Sequence, residues 1–222
     1  MTFDLDLIIS FLPDILRGLG NTILLWIVGS LLGIIVGFVI AVARRYGSRA
    51  VDLALLAPVE LIRGTPFLVQ VFLLYYGGPF IGLSLDSITA GLLGLTIYGA
   101  AYYSELWRSG FIAIPKGHIE AAQCVGLNRR QTLRRIILPE MTMLLLPSMV
   151  NMTILMLKET AILSIISVPE LTLAVSALGT KYYAFVEGFA ILALVYWALV
   201  EACSAMGRYA ESRLSKYRFA AT

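Results

Sequence analysis

The stretch that decides the fold is residues 18–43, GLGNTILLWIVGSLLGIIVGFVIAVA, in which no side chain carries a charge. A bilayer core about 30 Å thick is crossed by about 20 apolar residues in a helix. Lipid leaves a lone crossing segment no way to satisfy its backbone except intrahelical hydrogen bonds. The run reads as a membrane helix, and the rest of the chain agrees with it. Hydrophobic residues make up 59% and charged residues 14% of the 222, and mean hydropathy is +0.85. Ordinary soluble domains have about 45–50% and about 25%. Disorder, a collagen-like chain and a disulfide-stapled module are excluded. Cys124 and Cys203 lie far apart without metal-ligand spacing, and His118 is the single histidine, so neither a disulfide framework nor a metal centre is indicated.

Four more apolar runs follow the first. Residues 53–77 carry Glu60 and Arg63 in their first half. Residues 87–106 form a third candidate. A fourth, 139–159, is uncharged over 141–157 and then meets Lys158 and Glu159, and a fifth, 182–207, contains Glu187 and Glu201. Each predicts a single helix. Residues 160–177 are apolar but short and interrupted by Pro169, and read as a re-entrant or interfacial segment covered by protein. The expected fold class is an all-α membrane protein with about five transmembrane helices in one domain spanning 1–222.

Cytoplasmic loops collect Lys and Arg. Most of the seventeen cationic residues fall on one side of such a topology: Arg44, Arg45 and Arg49 in the first loop, Arg108, Lys116, Arg129, Arg130, Arg134 and Arg135 in the third, and Arg208, Arg213, Lys216 and Arg218 in the tail. This places the N-terminus outside, where Asp4, Asp6 and Asp14 also fit, and the C-terminus inside. In the first span Gly29, Gly33 and Gly37 recur every fourth residue, a stripe that lets a second helix approach closely. Packing within the chain is favoured over a dimer seam.

The interval 108–135 is the longest polar stretch. Pro115-Lys116-Gly117 makes a turn, residues 118–125 (HIEAAQCV) are good helix formers, and Gly126 supplies a left-handed stop. Asn128 with Gln131 three residues on is a capping-box start for a second helix, expected to end at Leu138 before Pro139. Two short helices at the membrane surface are predicted over 117–138. They suit either a rigid loop on lipid head groups or insertion into a cleft on another protein, and the residues alone leave both open.

Glu120-Ala121-Ala122, Gly126 and Ile137-Leu138-Pro139 resemble the EAA signature of the membrane subunits of ATP-binding-cassette importers. RGTPFLVQ (63–70), AYYSELWR (101–108), Pro115-Lys116-Gly117 and Lys158-Glu159-Thr160 narrow this to the polar amino acid permease family, and the likeness runs from Asn21-Thr22 to the end of the fifth span. Two positions depart from the family pattern: His118 and Glu140 stand where glutamine is common. The resemblance implies the type I importer permease fold. It also implies that Glu120, Ala121, Ala122 and Gly126 form a cytoplasmic coupling helix that docks into an ATPase. The chain has no G-x-x-x-x-G-K-[ST] loop, so the resemblance places ATP and magnesium in a partner ATPase dimer and makes this chain itself no enzyme. It further implies a second permease subunit, as a homodimer or heterodimer, an extracytoplasmic solute-binding protein and a bacterial inner membrane location. No cofactor is expected on this chain, and its surroundings are lipid, not nucleic acid.

Ionisable residues inside spans cost several kcal/mol unless paired or facing a cavity. Tyr98, Tyr102 and Glu105 share one helical face by spacing. Arg63 and Gln70 share another, around the kinking Pro66, with Glu60 one turn earlier. Asn151 and Lys158 share a third, with Glu159 beside them. These residues are candidates for a translocation path or gate. Structural pairing or gating is favoured over direct solute contact for Arg63, with Glu60 or a carbonyl as partner, for Glu105, with Arg108, and for Lys158, which can snorkel to the outer interface; Gln70, Tyr98, Tyr102 and Asn151 are the better candidates for lining. A path offering both a cation and an acceptor suits an amino acid zwitterion. The expected function is the permease subunit of an ATP-driven importer for a polar amino acid or a close relative such as an opine. The competing reading is a stand-alone channel or secondary transporter; a membrane enzyme lacks any nucleophile–base or metal constellation here.

Overall fold

The computed structural model of the chain describes residues 5–219, with the backbone alone for 5–8 and 214–219. Asp4 and the side chains of Asp6, Lys216 and Arg218 lie outside the described residues. Every regular element among them is helical. The apolar run that decides the fold becomes α1, Leu5–Tyr46, which extends beyond both ends of that run. α2, Arg49–Arg63, starts at an N-cap where the Ser48 hydroxyl accepts from the Val51 amide. α3, Phe67–Phe72, continues through a wide turn at Leu73–Gly77 and a tight one at Gly78–Ile81. α4 is Ser87–Ala113, capped by the Asp86 carboxylate. Hydrogen bonds from Thr89 hold that carboxylate below the ordinary range. α5 is Lys116–Cys124. α6, Arg129–Thr132, passes through a wide turn at Leu133–Ile137 into α7, Leu138–Glu159. A tight helical segment, Thr160–Ile166, leads to α8, Leu171–Tyr182, and α9, Phe185–Phe219.

By length and apolarity three of these helical stretches suffice to cross a bilayer: Ile9–Tyr46, Arg129–Ile166 and Phe185–Arg213. The bent pair Arg49–Arg63 and Phe67–Ile81 is a fourth candidate. α4 is long enough, but small and polar residues lower its apolarity. It sits in the middle of the molecule, with Ala90, Leu95, Ala101, Tyr103 and Ser104 almost fully buried. Its neighbours are protein, so hydropathy alone understates it.

The glycine stripe of α1 packs inside the chain, against α4. A Cβ at Gly33 would lie 3.1 Å from the Gly99 backbone, and one at Gly37 would lie 2.9 Å from the Ala100 carbonyl oxygen and the Ser104 nitrogen. α7 closes the other side of the seam: the Trp26 indole donates to the Thr153 carbonyl at 2.7 Å, and the Tyr103 and Thr153 hydroxyls pair at 2.7 Å. One apolar cluster fills this centre. A second joins Ile15, Leu171, Val175 and Leu178, and a third joins Ala41, Phe111, Ile137 and Met141.

Two expected boundaries differ. The run 53–77 is not one helix, because the chain bends by 106° between Arg63 and Phe67. Pro66 has no amide hydrogen to donate and its ring disfavours helical backbone at Thr65, so the expected kink is a full break. Conversely, the helix begun at Arg129 does not stop before Pro139. The Leu138 amide donates five residues back to the Leu133 carbonyl, and this widened turn accommodates a residue that has no amide hydrogen. The segment 160–177 is covered by protein: Leu163, Ile166, Leu171 and Val175 are buried.

Candidate functional site

At the Tyr46 end of α1 three helices are tied by charge. Arg44 donates from Nε to Asp52 Oδ1 at 2.9 Å and from a terminal nitrogen to Glu105 Oε1. Arg108 donates to Glu105 Oε2 at 2.7 Å. The Arg44 side chain is 7% exposed and that of Glu105 14%. A carboxylate engaged by two guanidiniums has its lone pairs satisfied, which a buried charge requires. Glu105 thus pairs with Arg108, as expected, and also with Arg44, which the sequence offered only as a loop cation.

The break between α2 and α3 is laced by one side chain. Gln70 Nε2 donates to the Ile62 carbonyl at 2.6 Å, and to the Thr65 carbonyl and hydroxyl at 3.0 Å. Two of these acceptors are carbonyls at the end of α2 and in the turn after it, where the helix no longer supplies its own donors, and the third is the Thr65 hydroxyl. Gln70 therefore serves the bend. Arg63 pairs with Glu60 at 2.9 Å, and its guanidinium lies 5.7 Å from the centre of the Tyr102 ring. Its Nε is buried with no hydrogen-bond partner. Tyr98 is 9% exposed and packs on Phe67 and Tyr102 at ring separations of 5.0 and 4.7 Å.

An open cleft of about 530 Å³ lies between α2, α4 and α7, with Arg63, Tyr102, Glu105, Ser109, Ser148 and Asn151 among its walls. Four of the residues picked out by helical spacing thus meet across three helices. Pro147 and Asn151 also line a smaller cleft of about 190 Å³ between α7 and α9, with Ser204 and Arg208. Gln70, Tyr98, Lys158 and Glu159 do not line either one. Lys158 is exposed beyond them. Glu159 is half-buried, with Oε2 shielded and unpartnered.

The surface element at 116–128 is sharply built. The Leu127 amide donates to the Ala122 carbonyl and the Gly126 amide to the Gln123 carbonyl, both at 3.0 Å, the paired bonds of a Schellman stop. Gly126 has φ of 78°, a conformation that strains any residue with a Cβ. Asn128 and Gln131 form the reciprocal capping box. Glu120, Ala121 and Gly126 are exposed, whereas Ala122 is 4% exposed and faces the chain itself. His118 Nδ1 lies 2.8 Å from Glu140 Oε2, joining α5 to α7. The two departures from the family pattern are therefore one contact.

Sequence reasoning missed Arg44 and Glu170. Glu170 is fully buried and caps α8 by accepting from the Thr172 and Leu173 amides at 2.8 Å. Thr22 of α1 accepts from the Leu171 amide at 3.0 Å. The Asn21-Thr22 pair and the Pro169-Glu170 pair were the available signals, separated too far in sequence to be joined by spacing. Among the described residues no group of three His, Cys, Asp or Glu could hold a metal ion.

The profile of the family described as "Binding-protein-dependent transport system inner membrane component" matches residues 8–216. A "Probable amino-acid ABC transporter permease protein PatM" of Vibrio harveyi is 34% identical over 219 residues, covering 97% of this chain and 98% of that protein. A "Probable amino-acid ABC transporter permease protein YckA" of Bacillus subtilis (strain 168) is 31% identical over 97% of this chain and 95% of its own length. A crystal structure of an amino acid ABC transporter with histidines superposes with a TM-score of 0.89 at 31% identity, covering 96% of this chain and all of that one. The chain belongs to this family of inner membrane components, the membrane permease subunits of ABC importers.

Proposed function

We propose that the cleft walled by Arg63, Tyr102, Glu105 and Asn151 is this permease's share of a translocation path for a polar amino acid or a close relative such as an opine. The observation that carries the reading is the convergence of these side chains from three helices on one open space. Glu105 is already engaged by Arg44 and Arg108, so it orders the wall and leaves recognition to others. The Arg63 guanidinium supplies a cation for a solute carboxylate. The Asn151 amide and the Tyr102 hydroxyl supply acceptors for an ammonium group. Relatives named as amino acid permeases, and a similar transporter solved with histidine, support this class of solute.

Energy enters at α5. The exposed Glu120, Ala121 and Gly126 present a slim surface to a cytoplasmic ATPase dimer that binds and hydrolyses ATP with magnesium, while the inward-facing Ala122 anchors the helix. The Schellman stop and the capping box make this element stiff enough to transmit displacement, and α6 runs without interruption into α7, which carries Asn151. The arginine-rich ends of the helices face the cytoplasm of a bacterial cell and the N-terminus faces outward. A second permease subunit completes the path, and a solute-binding protein delivers the solute.

Reconstitution of this chain with its ATPase, partner permease and binding protein in proteoliposomes tests the reading. Uptake of labelled polar amino acids is expected to require all of these components and ATP. Uphill transport by this chain alone without nucleotide would overturn it.

A further inference from the structure

Beside the coupling helix lies a groove of about 430 Å³ between the end of α1 and α5–α6. Its rim carries Arg45, Arg129 and Arg130, and its floor includes Ile119, Leu127 and Leu133. Among the described residues no ion pair reaches any of the three arginines. They contrast with Arg44, one residue away, which is buried between two carboxylates. The groove also has a direction. Leu24, Leu31, Ile35 and Val39 are each more than half exposed, and their spacing by seven, four and four places them on one face of α1. Seven residues further on, Tyr46 is 57% exposed and lines the groove. An apolar stripe suited to acyl chains thus descends to a ring hydroxyl at interface depth and opens onto three unpaired guanidiniums.

We propose that this groove holds the head group of one anionic phospholipid. Its phosphate sits among Arg45, Arg129 and Arg130, and its acyl chains lie along the α1 stripe. Charge complementarity selects an anionic head group over a zwitterionic one, because basic pockets between membrane helices concentrate anionic lipid. Guanidinium forks match phosphate oxygens geometrically. The bound lipid would brace α6 against α1 at the root of the coupling helix, making the stiffness of that element dependent on membrane composition.

The test uses the full chain in nanodiscs of equal parts phosphatidylglycerol and phosphatidylcholine, alone and with its ATPase bound, with retained lipids counted by native mass spectrometry. The expected result is retention of phosphatidylglycerol over phosphatidylcholine in both states. Arg129→Gln/Arg130→Gln should lower that enrichment roughly tenfold. The charge-matched control Arg134→Gln/Arg135→Gln, which lies outside the groove, should leave it intact. Equal losses in the two variants, or no loss in either, would overturn the site. Loss of the lipid on ATPase binding would assign the groove to the motor instead, and loss of self-association in the groove variant with lipid retention unchanged would assign it to a second copy.

Discussion

The two faces of α4 are built on opposite principles. Toward α1 it presents Gly99, Ala100 and Ser104, so close to Gly33 and Gly37 that an added Cβ would strike backbone. Toward α2 and α7 it presents Tyr102, Glu105 and Ser109 to open space. One face is dry and interlocked; the other is polar and unfilled. The contrast shows where a permease keeps rigidity and where it keeps room. Helices in lipid gain nothing from the hydrophobic effect on meeting each other, so close approach of small residues supplies the cohesion. The polar face can then stay open without costing the fold.

Substitutions should separate the faces. The largest effect is expected at the seam. In Gly37→Leu the new side chain meets the Ala100 carbonyl, the Ser104 amide and the Tyr103 Cβ, none of which is a flexible side-chain end that can move aside. Folded protein should be lost, as measured by monodisperse yield. A normal yield would mean that the two helices can separate at little cost.

Glu105→Gln tests the border between the faces. It removes the charge from one of the two carboxylates that hold the buried Arg44, leaving Asp52 as its charged partner, and should cost about 2 kcal/mol, read as a fall in thermal stability. Were stability unchanged and only transport lost, Glu105 would belong to the recognition surface and not to the frame.

Asn151→Leu is the counterpart on the open face. Asn151 is exposed, so stability should move by no more than about 0.5 kcal/mol, while uptake by the assembled transporter should fall roughly tenfold or more through the lost hydrogen-bonding group. A stability loss matching that of Glu105→Gln would erase the distinction between framing and lining residues.

The smallest effect is expected at the His118–Glu140 link, whose side chains are 51% and 37% exposed. A double-mutant cycle with His118→Gln and Glu140→Gln should give a coupling energy of about 0.5 kcal/mol. In the same cycle, the ATP hydrolysed per solute imported should rise in each single variant and no further in the double. Additive effects would show that the two residues act separately.

How much of this was legible in the sequence depends on range. The first apolar run, the glycine stripe, the Gly126 stop and the Asn128 cap are local patterns, and each has its counterpart in the structure, whereas the run 53–77 is broken at Pro66. Tyr102, Glu105, Arg63 and Asn151 were picked out by spacing on separate helices, and they share a cleft. Arg44 was not legible, because a cation just past an apolar run reads as topology and its partners lie on α2 and α4. Gln70 was read as lining because its face was known, but not that the break at Pro66 would leave three acceptors within its reach. Pro139 was given too much weight as a terminator, since a single widened turn removes the need for its missing hydrogen. His118 and Glu140 stood out only as departures, and no spacing rule joins residues across two elements.

The account rests on the open face of α4 being the path that nucleotide opens and closes. With Cys124 and Cys203 replaced by serine, Asn151→Cys in the assembled transporter can be labelled by a membrane-impermeant thiol reagent with and without trapped ATP. The account predicts that the labelling rate changes with nucleotide state and falls when solute is present. Labelling at one rate under all conditions, in a transporter that still imports, would contradict it.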